Sequence, residues 1–404
     1  MKKLALLNPY PFTVINGSRE KSTLVIIKIL RQLGIETEII SLSNKNTTSR
    51  ALGCKQVEVK TISPNMNGFQ ASRIAEFSVL AAFGFRPSIE MISRSEQLMR
   101  ALQRCNPDII FVQDITFAKV IQRYKERHSK FAVKVVALSD LFSAEKDFET
   151  INYLATSKFS KFLINNLQRF VKPNYLRYQK NLYSLQIDMA DAFILMDKSY
   201  AIEINRNFPN SRGKTHIIFP YYAERHAKYK IKPIQRIRKI LFLGSCSHGP
   251  NIKAIYNIRT RIAPNMPSKE FIISGKDCPD CQNSNMIYSP PNMPLKKRID
   301  NADLCISPLI ERNTGVKTKM FDYFSSGKVV LGTTSSFVGF NAINGVNAII
   351  EDDIDKYPQT IINLEKNKSL LHRIQRNSHT ALVGHYKKDL INDWTTMLKN
   401  IKAI

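Results

Sequence analysis

The chain has 404 residues, enough for two domains with a core each, and 43% of them are hydrophobic, which excludes a disordered polymer. Lys and Arg number 60 against 33 Asp and Glu, a net charge of +27. That excess points to polyanionic company (nucleic acid, an acidic membrane face or phosphorylated substrates) or to a basic compositional bias, and speaks to steering and solubility rather than fold.

In chain order, "MKKLALLNPYPF" has an apolar stretch only from Leu4 to Leu7 before Asn8 and Pro9. That is too short for a secretory signal and reads as a first buried strand. "REKSTLVIIKILRQLG" follows as a helix, with Leu24, Ile27, Leu30 and Leu33 recurring every three residues and Gly34 at its stop. Further apolar runs begin at Thr37, Pro107, Val133, Asp191 and Thr215. Runs this apolar suit parallel strands covered on both faces. Tyr221 to Lys239 is polar and basic, holds Pro233 and reads as a linker. The rhythm then restarts: strands at Lys239, Lys269, Asp303, Lys328 and Asn347, helices from about Asn251 and near Leu295, and a helical tail from Tyr357. The expected fold is α/β, two Rossmann-like doubly wound domains facing a cleft. Residues 1–222 form the first, rejoined by a returning C-terminal helix at 388–404, and 233–387 form the second. Ligands of such sheets bind outside the carboxyl ends of the strands.

No run approaches the roughly 18 apolar residues of a membrane span, so a soluble or peripherally attached protein is expected. Lys158 to Lys172 stands apart as a basic amphipathic helix: Phe159, Phe162, Leu163, Leu167 and Phe170 share one face, with Lys158, Lys161, Arg169 and Lys172 on the other. Such a helix lies on an anionic membrane surface or packs on its own domain. The cysteines Cys54, Cys105, Cys246, Cys278, Cys281 and Cys305 are scattered and read as reduced thiols. "CPDC" at Cys278 lacks a second ligand pair for zinc and reads as incidental.

Chemistry concentrates in "GVKTKMFDYFSSGKVVLGTT", Gly315 to Thr334. At 100° per residue, Lys319 and Asp322 share a stripe with Gly315, Thr318 lies at its edge, and Val316, Met320, Phe321 and Phe324 fall opposite. A helix N-terminus beside a glycine favours a phosphate, to which Lys319 adds charge; Asp322, one turn further, is placed for ribose hydroxyls. The alternative is a surface ion pair between Lys319 and Asp322, worth little.

The chain resembles the retaining glycosyltransferases of the GT-B fold, specifically glycosyltransferase family four. "LFLGSCSHGPN" (Leu241 to Asn251) is similar to the strand, glycine loop and helix start of the donor domain. "ADLCISPLIERNTGVKTKMFDYFSSGKVVLGTT" (Ala302 to Thr334) is similar to the family's strand, proline turn, glycine, lysine and acidic helix. "VGFNAINGVNAIIEDD" (Val338 to Asp353) is similar to the segment closing the donor pocket. The resemblance implies transfer of a sugar from a nucleotide-sugar donor to an acceptor hydroxyl, with retention and no metal or other cofactor. It implies donor-binding roles for Gly17, Gly244, Ser245, His248, Asn251, Gly315, Val316, Lys317, Thr318 and Asp322, and places Asp140, Glu311 and Lys319 at the reacting groups. Asp140 and Gly17 have plainer readings as a helix cap and a turn. Ten residues lie between Glu311 and Asp322 where seven lie between the family's carboxylates, and the loop after the strand at Lys239 lacks the family's basic pair. The expected acceptor is a glycan or lipid-linked molecule of surface polysaccharide synthesis, at a cytoplasmic location peripheral to the inner membrane face, with no nucleic acid. Two rivals remain: a catalytically inactive module of the same fold in an assembly, and a nucleic-acid-binding protein, against which the basic residues are spread over both halves.

Overall fold

The computed structural model describes residues 2–9, 18–43, 47–60, 95–128, 133–138, 158–222, 233–245, 249–275, 285–289, 293–310 and 316–404, without the side chains of 18–19, 158–171 and 175. The chain divides into two compact units, Met1–Pro220 with Leu390–Ile404, and Tyr221–Asp389. Each is an α/β body on a parallel sheet.

The first unit runs β1 (Lys3–Asn8), α1 (Ser18–Gln32), β2 (Glu36–Ser43), β3 (Thr47–Ala51), β4 (Cys54–Lys60), α2 (Glu96–Cys105), β5 (Ile109–Val112), α3 (Ala118–Arg127), β6 (Lys134–Leu138), α4 (Lys158–Met189), β7 (Ala192–Leu195), α5 (Lys198–Asn207) and β8 (Thr215–Ile217). The sheet order is β3-β4-β2-β1-β5-β6-β7-β8, parallel except for the β3–β4 hairpin. Leu4 to Leu7 and Ile109 to Val112 are fully buried, as continuous apolar runs demand of strands covered on both faces. The hairpin is absent from the sequence reading. Its two turn residues, Leu52 and Gly53, both take positive φ, 55° and 76°, the backbone of a tight type I′ turn. Leucine in that position carries no turn signal.

Helix α1 ends as expected: Gly34 takes φ 73° and the Ile35 N–H reaches the Leu30 carbonyl at 2.9 Å, a Schellman closure. Its buried face corrects the sequence reading. Thr23, Ile26, Ile27, Ile29 and Leu30 are buried, while Leu24 and Leu33 are only half-buried. A strict three-residue repeat drifts around a 3.6-residue helix, so it cannot stay on one face for three turns. From Leu390 the chain belongs to this unit, and Trp394, 1% exposed, packs its ring 5.8 Å from that of Phe111. The backbone of Lys158 to Lys172 is helical, within α4; the amphipathic face assigned to it rests on side chains outside the described residues. Among the described residues no helix is long and apolar enough to cross a membrane.

The second unit runs β9 (Lys239–Leu243), α6 (Gly249–Asn257), β10 (Glu270–Ser274), β11 (Met286–Ser289), α7 (Leu295–Asp300), β12 (Leu304–Ser307), α8 (Thr318–Ser325), β13 (Val329–Gly332), β14 (Ile349–Ile350), α9 (Tyr357–Lys366) and α10 (Lys368–Asn377); α11 (Lys387–Asn400) leads out of it. Its sheet is parallel throughout, in the order β11-β10-β9-β12-β13-β14. The chain lays β10 and β11 on one side of β9, then returns to lay β12, β13 and β14 on the other. The carboxyl ends of β9 and β12 therefore flank a topological switch point, where doubly wound sheets hold ligands. The end of the expected linker is part of this core: Ile234 and Ile237 are buried, and their N–H groups donate to Gln375 Oε1 at 3.3 Å and Glu365 Oε1 at 2.9 Å.

Candidate functional site

The switch point is built from β9 outward. Strand β9 is followed by Gly244, whose N–H donates to the Ser274 carbonyl at 3.0 Å. Asn251, in the first turn of α6 and 8% exposed, folds back over this glycine. A Cβ on Gly244 would lie 2.6 Å from the Asn251 Cγ, so the close approach requires glycine there. Asn251 Nδ2 donates to the Ser245 carbonyl at 3.0 Å, which turns its Oδ1 outward, and Oδ1 accepts from Lys319 Nζ at 2.8 Å. The same ammonium sits 4.0 Å from the centre of the Phe242 ring, within range of a cation–π attraction.

Helix α8 brings Lys319 to that point. It starts at Thr318, with Lys317 as its cap residue, so Val316 precedes the helix instead of sharing its face as the 100° projection has it. Met320, Phe321, Tyr323 and Phe324 are buried under it. The Leu243 N–H donates to the Tyr323 hydroxyl at 2.7 Å, tying α8 to the end of β9. Tyr221 lies 5.6 Å, ring to ring, from Phe321. Val316 rests on Gly339, where a Cβ would meet its Cγ2 at 2.8 Å and where φ is 86°. His385 Nε2 donates to the Gly339 carbonyl at 2.8 Å; since a carbonyl only accepts, Nε2 carries the hydrogen.

Electrostatically the site is a cation in a poorly solvated place. Burial, and secondarily the neighbouring Lys317 ammonium, hold the Lys319 pKa well below its ordinary 10.5. Lys317 is itself 9% exposed. Two lysines stand at the start of an eight-residue helix, whose dipole adds positive charge there, an arrangement that favours an anion. Asp322, half-buried one turn on, is felt by Arg298, whose pKa is lowered by burial and raised by that carboxylate.

The structure thus joins Gly244, Ser245, Asn251 and Lys319 in one hydrogen-bonded arrangement, with Lys317, Thr318 and Val316 beside it and Asp322 further along the helix. Gly17, Asp140, His248, Glu311 and Gly315, and the CPDC stretch, lie outside the described residues. Sequence reasoning missed Tyr323, which docks the helix, and Arg298, Ser274 and Tyr288 at the neighbouring strand ends. Nothing in their local spacing announces them.

No protein-family model matches the chain, and no curated protein sequence matches it. Solved structures do. Sucrose-phosphate synthase from Thermosynechococcus elongatus superimposes with a TM-score of 0.67 at 11% identity, OtsA with 0.66 at 13%, and HepE from Anabaena in complex with UDP and glucose with 0.64 at 11%. Each comparison covers 100% of both chains. The chain therefore has the two-domain GT-B fold of these glycosyltransferases.

Proposed function

We propose that the protein is a glycosyltransferase that takes its sugar from a nucleotide-sugar donor. The observation that carries the reading is Lys319, held by Asn251 over the end of β9 at the sheet's switch point, where a cation would meet a diphosphate. The likeness to a protein solved with UDP and glucose supports it. In the reaction, the acceptor oxygen forms a bond to the anomeric carbon. The bond from that carbon to the diphosphate oxygen breaks, its electron pair staying on the diphosphate, and the acceptor's proton passes to that phosphate oxygen. Charge develops on the departing diphosphate, where Lys319, Lys317 and the first N–H groups of α8 oppose it. Asp322 accepts hydrogen bonds from the ribose hydroxyls.

Retention of configuration and independence from metal follow from the resemblance to family four. The acceptor proposed is a glycan or lipid-linked molecule, reached by a protein peripheral to the cytoplasmic membrane face through the basic segment Lys158 to Lys172. Residues 1–222 with 388–404 would carry the acceptor, and 233–387 the donor.

Thermal-shift screening against UDP, GDP, ADP and CMP tests the donor site, since a ligand stabilises the fold it binds. Hydrolysis or transfer of the matching nucleotide sugar, present in the parent and lost in Asp322→Ala, separates an enzyme from an inactive module. Failure of every nucleotide to raise the melting temperature would end the reading. Flotation with anionic vesicles tests the membrane proposal, and absence of binding removes it.

A further inference from the structure

A second polar arrangement lies beside the first, at the carboxyl ends of β10 and β11. Arg298, on α7, donates from Nη1 to Ser274 Oγ at 2.9 Å, and Ser274 Oγ donates on to the Ser289 carbonyl at 3.0 Å. Tyr288 donates its hydroxyl to the Gly275 carbonyl at 2.7 Å. Ser274 is 1% exposed, so the guanidinium is anchored at one end to a buried, already oriented hydroxyl. Its Nε is buried and has no hydrogen-bond partner among the described residues. Such orphans are rare in folded proteins and each calls for a physical reason. Guanidinium donors are fixed in a plane, and with Nη1 engaged and Nε enclosed by protein, Nη2 is the donor left for a ligand to reach.

Position suggests what that donor meets. Along the strand ends, the phosphate-binding features sit at β9, and Arg298 sits at β10 and β11, within the field of Asp322. If Asp322 holds the ribose, the group one step further from the phosphates is the base. We propose that Arg298 selects the nucleobase of the donor: its Nη2 donates to an exocyclic carbonyl, so the site accepts an oxo base and rejects an amino base. Arginine offers donors only, and an amino group brought to the same place would set donor against donor with nothing between them. This rests on the donor-site reading above and adds to it the chemical class of the base.

The test uses the full chain and two pairs of probes that differ at the exocyclic position of one ring: UDP against CDP, and inosine diphosphate against ADP. Affinities are measured by calorimetry for the parent, Arg298→Met and Arg298→Lys. A guanidinium–base contact discriminates by roughly fivefold to a hundredfold. The expected result is at least about a tenfold preference for the carbonyl member in one or both pairs, falling to about twofold or less in Arg298→Met. Arg298→Lys, which keeps the charge but not the planar fork, retains part of the preference and guards against a variant that fails to fold. Equal binding within both pairs by the parent would overturn the proposal. So would a preference that survives in Arg298→Met, with all four affinities lowered by the same factor, because Arg298 then supports the site without reading the base. If no nucleotide diphosphate binds the parent, the donor site itself is lost and this inference with it.

Discussion

Two glycines at the switch point should respond differently to the same added methyl group. A Cβ on Gly275 would press into the Gly244 carbonyl oxygen and lie 2.5 Å from its carbon and 2.9 Å from the Ser245 nitrogen. All three atoms are backbone. Carbon contacts settle near 3.5 Å, so the Gly244–Ser245 segment must move by about 1 Å or more. Overpacking that no side chain can relieve costs about 3 kcal/mol. At roughly 2–4 °C per kcal/mol for a domain of this size, Gly275→Ala should melt about 6–12 °C below the parent. Gly244→Ala meets the Asn251 side chain instead, at 2.6 Å from Cγ. That side chain can rotate away, at the loss of its bonds to Ser245 and Lys319. Stability then falls by about 1 kcal/mol, while UDP affinity falls by about tenfold as Lys319 loses its anchor. Differential scanning fluorimetry reads the first quantity and calorimetry with UDP the second. A Gly275→Ala protein melting within about 2 °C of the parent would refute the packing argument. A Gly244→Ala protein with undiminished UDP affinity would refute the role given to Asn251.

Lys319→Met should lower UDP affinity by about tenfold or more and change how stability depends on pH. The folded pKa of Lys319 lies below 10.5, so between that depressed value and 10.5 the unfolded chain binds more protons, and the parent gains stability as pH rises. The variant lacks this gain, and its melting temperature relative to the parent should fall from neutral pH towards pH 10; a constant difference would show that the lysine is not buried as a cation. Asp322→Ala should weaken UDP more than 2′-deoxy-UDP, and an equal loss for both would remove the ribose contact. Trp394, the chain's single tryptophan, should be a fluorescence reporter of the first unit. Trp394→Ala, a loss of about 3–5 kcal/mol of packing, should lower that unit's melting temperature by about 10 °C, as followed by circular dichroism.

The strands were legible where the chain spells continuous apolar runs, since a strand covered on both faces needs no alternation to be recognised. The runs read at Leu4, Pro107 and Lys239 hold β1, β5 and β9. The hairpin of β3 and β4 was not legible, because a Leu–Gly turn with two positive φ values lacks the usual Asn or Asp, and most of β3 is exposed. Strand β11 was missed for a related reason: it has four residues and leaves Ile287 48% exposed, so it offers no buried run. In the candidate site, Lys319 and Asp322 could be nominated from local pattern, and Asn251 from the family resemblance. Their partnership could not, since the bond between Lys319 and Asn251 spans 68 positions. Arg298 is the limiting case. Its neighbour Ser274 lies 24 residues away, and an arginine in "LKKRID" looks like any solvated helix face.

The anchoring of α8 bears on how Lys319 is prepared for an anion. The helix is fixed on its buried side by the Tyr323 hydroxyl to β9, by Phe321 against Tyr221, and by Phe324 at 6.0 Å and 5.9 Å, ring to ring, from Phe337 and Phe340. Those contacts hold the Lys319 backbone, and Asn251 and Phe242 hold its ammonium, before any ligand arrives. A cation in water must reorganise its solvent to meet a diphosphate; one already held by a neutral amide and a ring face need not. Burial depresses the pKa of that ammonium, and a phosphate brought to it would offset the cost. The same burial that makes Lys319 costly to the fold therefore gives its ammonium the most to gain from an anion, and proton uptake on UDP binding, measured by calorimetry in buffers of different ionisation enthalpy at pH values from neutral up to 10.5, is the signature to seek. Binding with no proton exchange across that range would mean that Lys319 is already fully protonated in the free protein, and that this account of its environment is wrong.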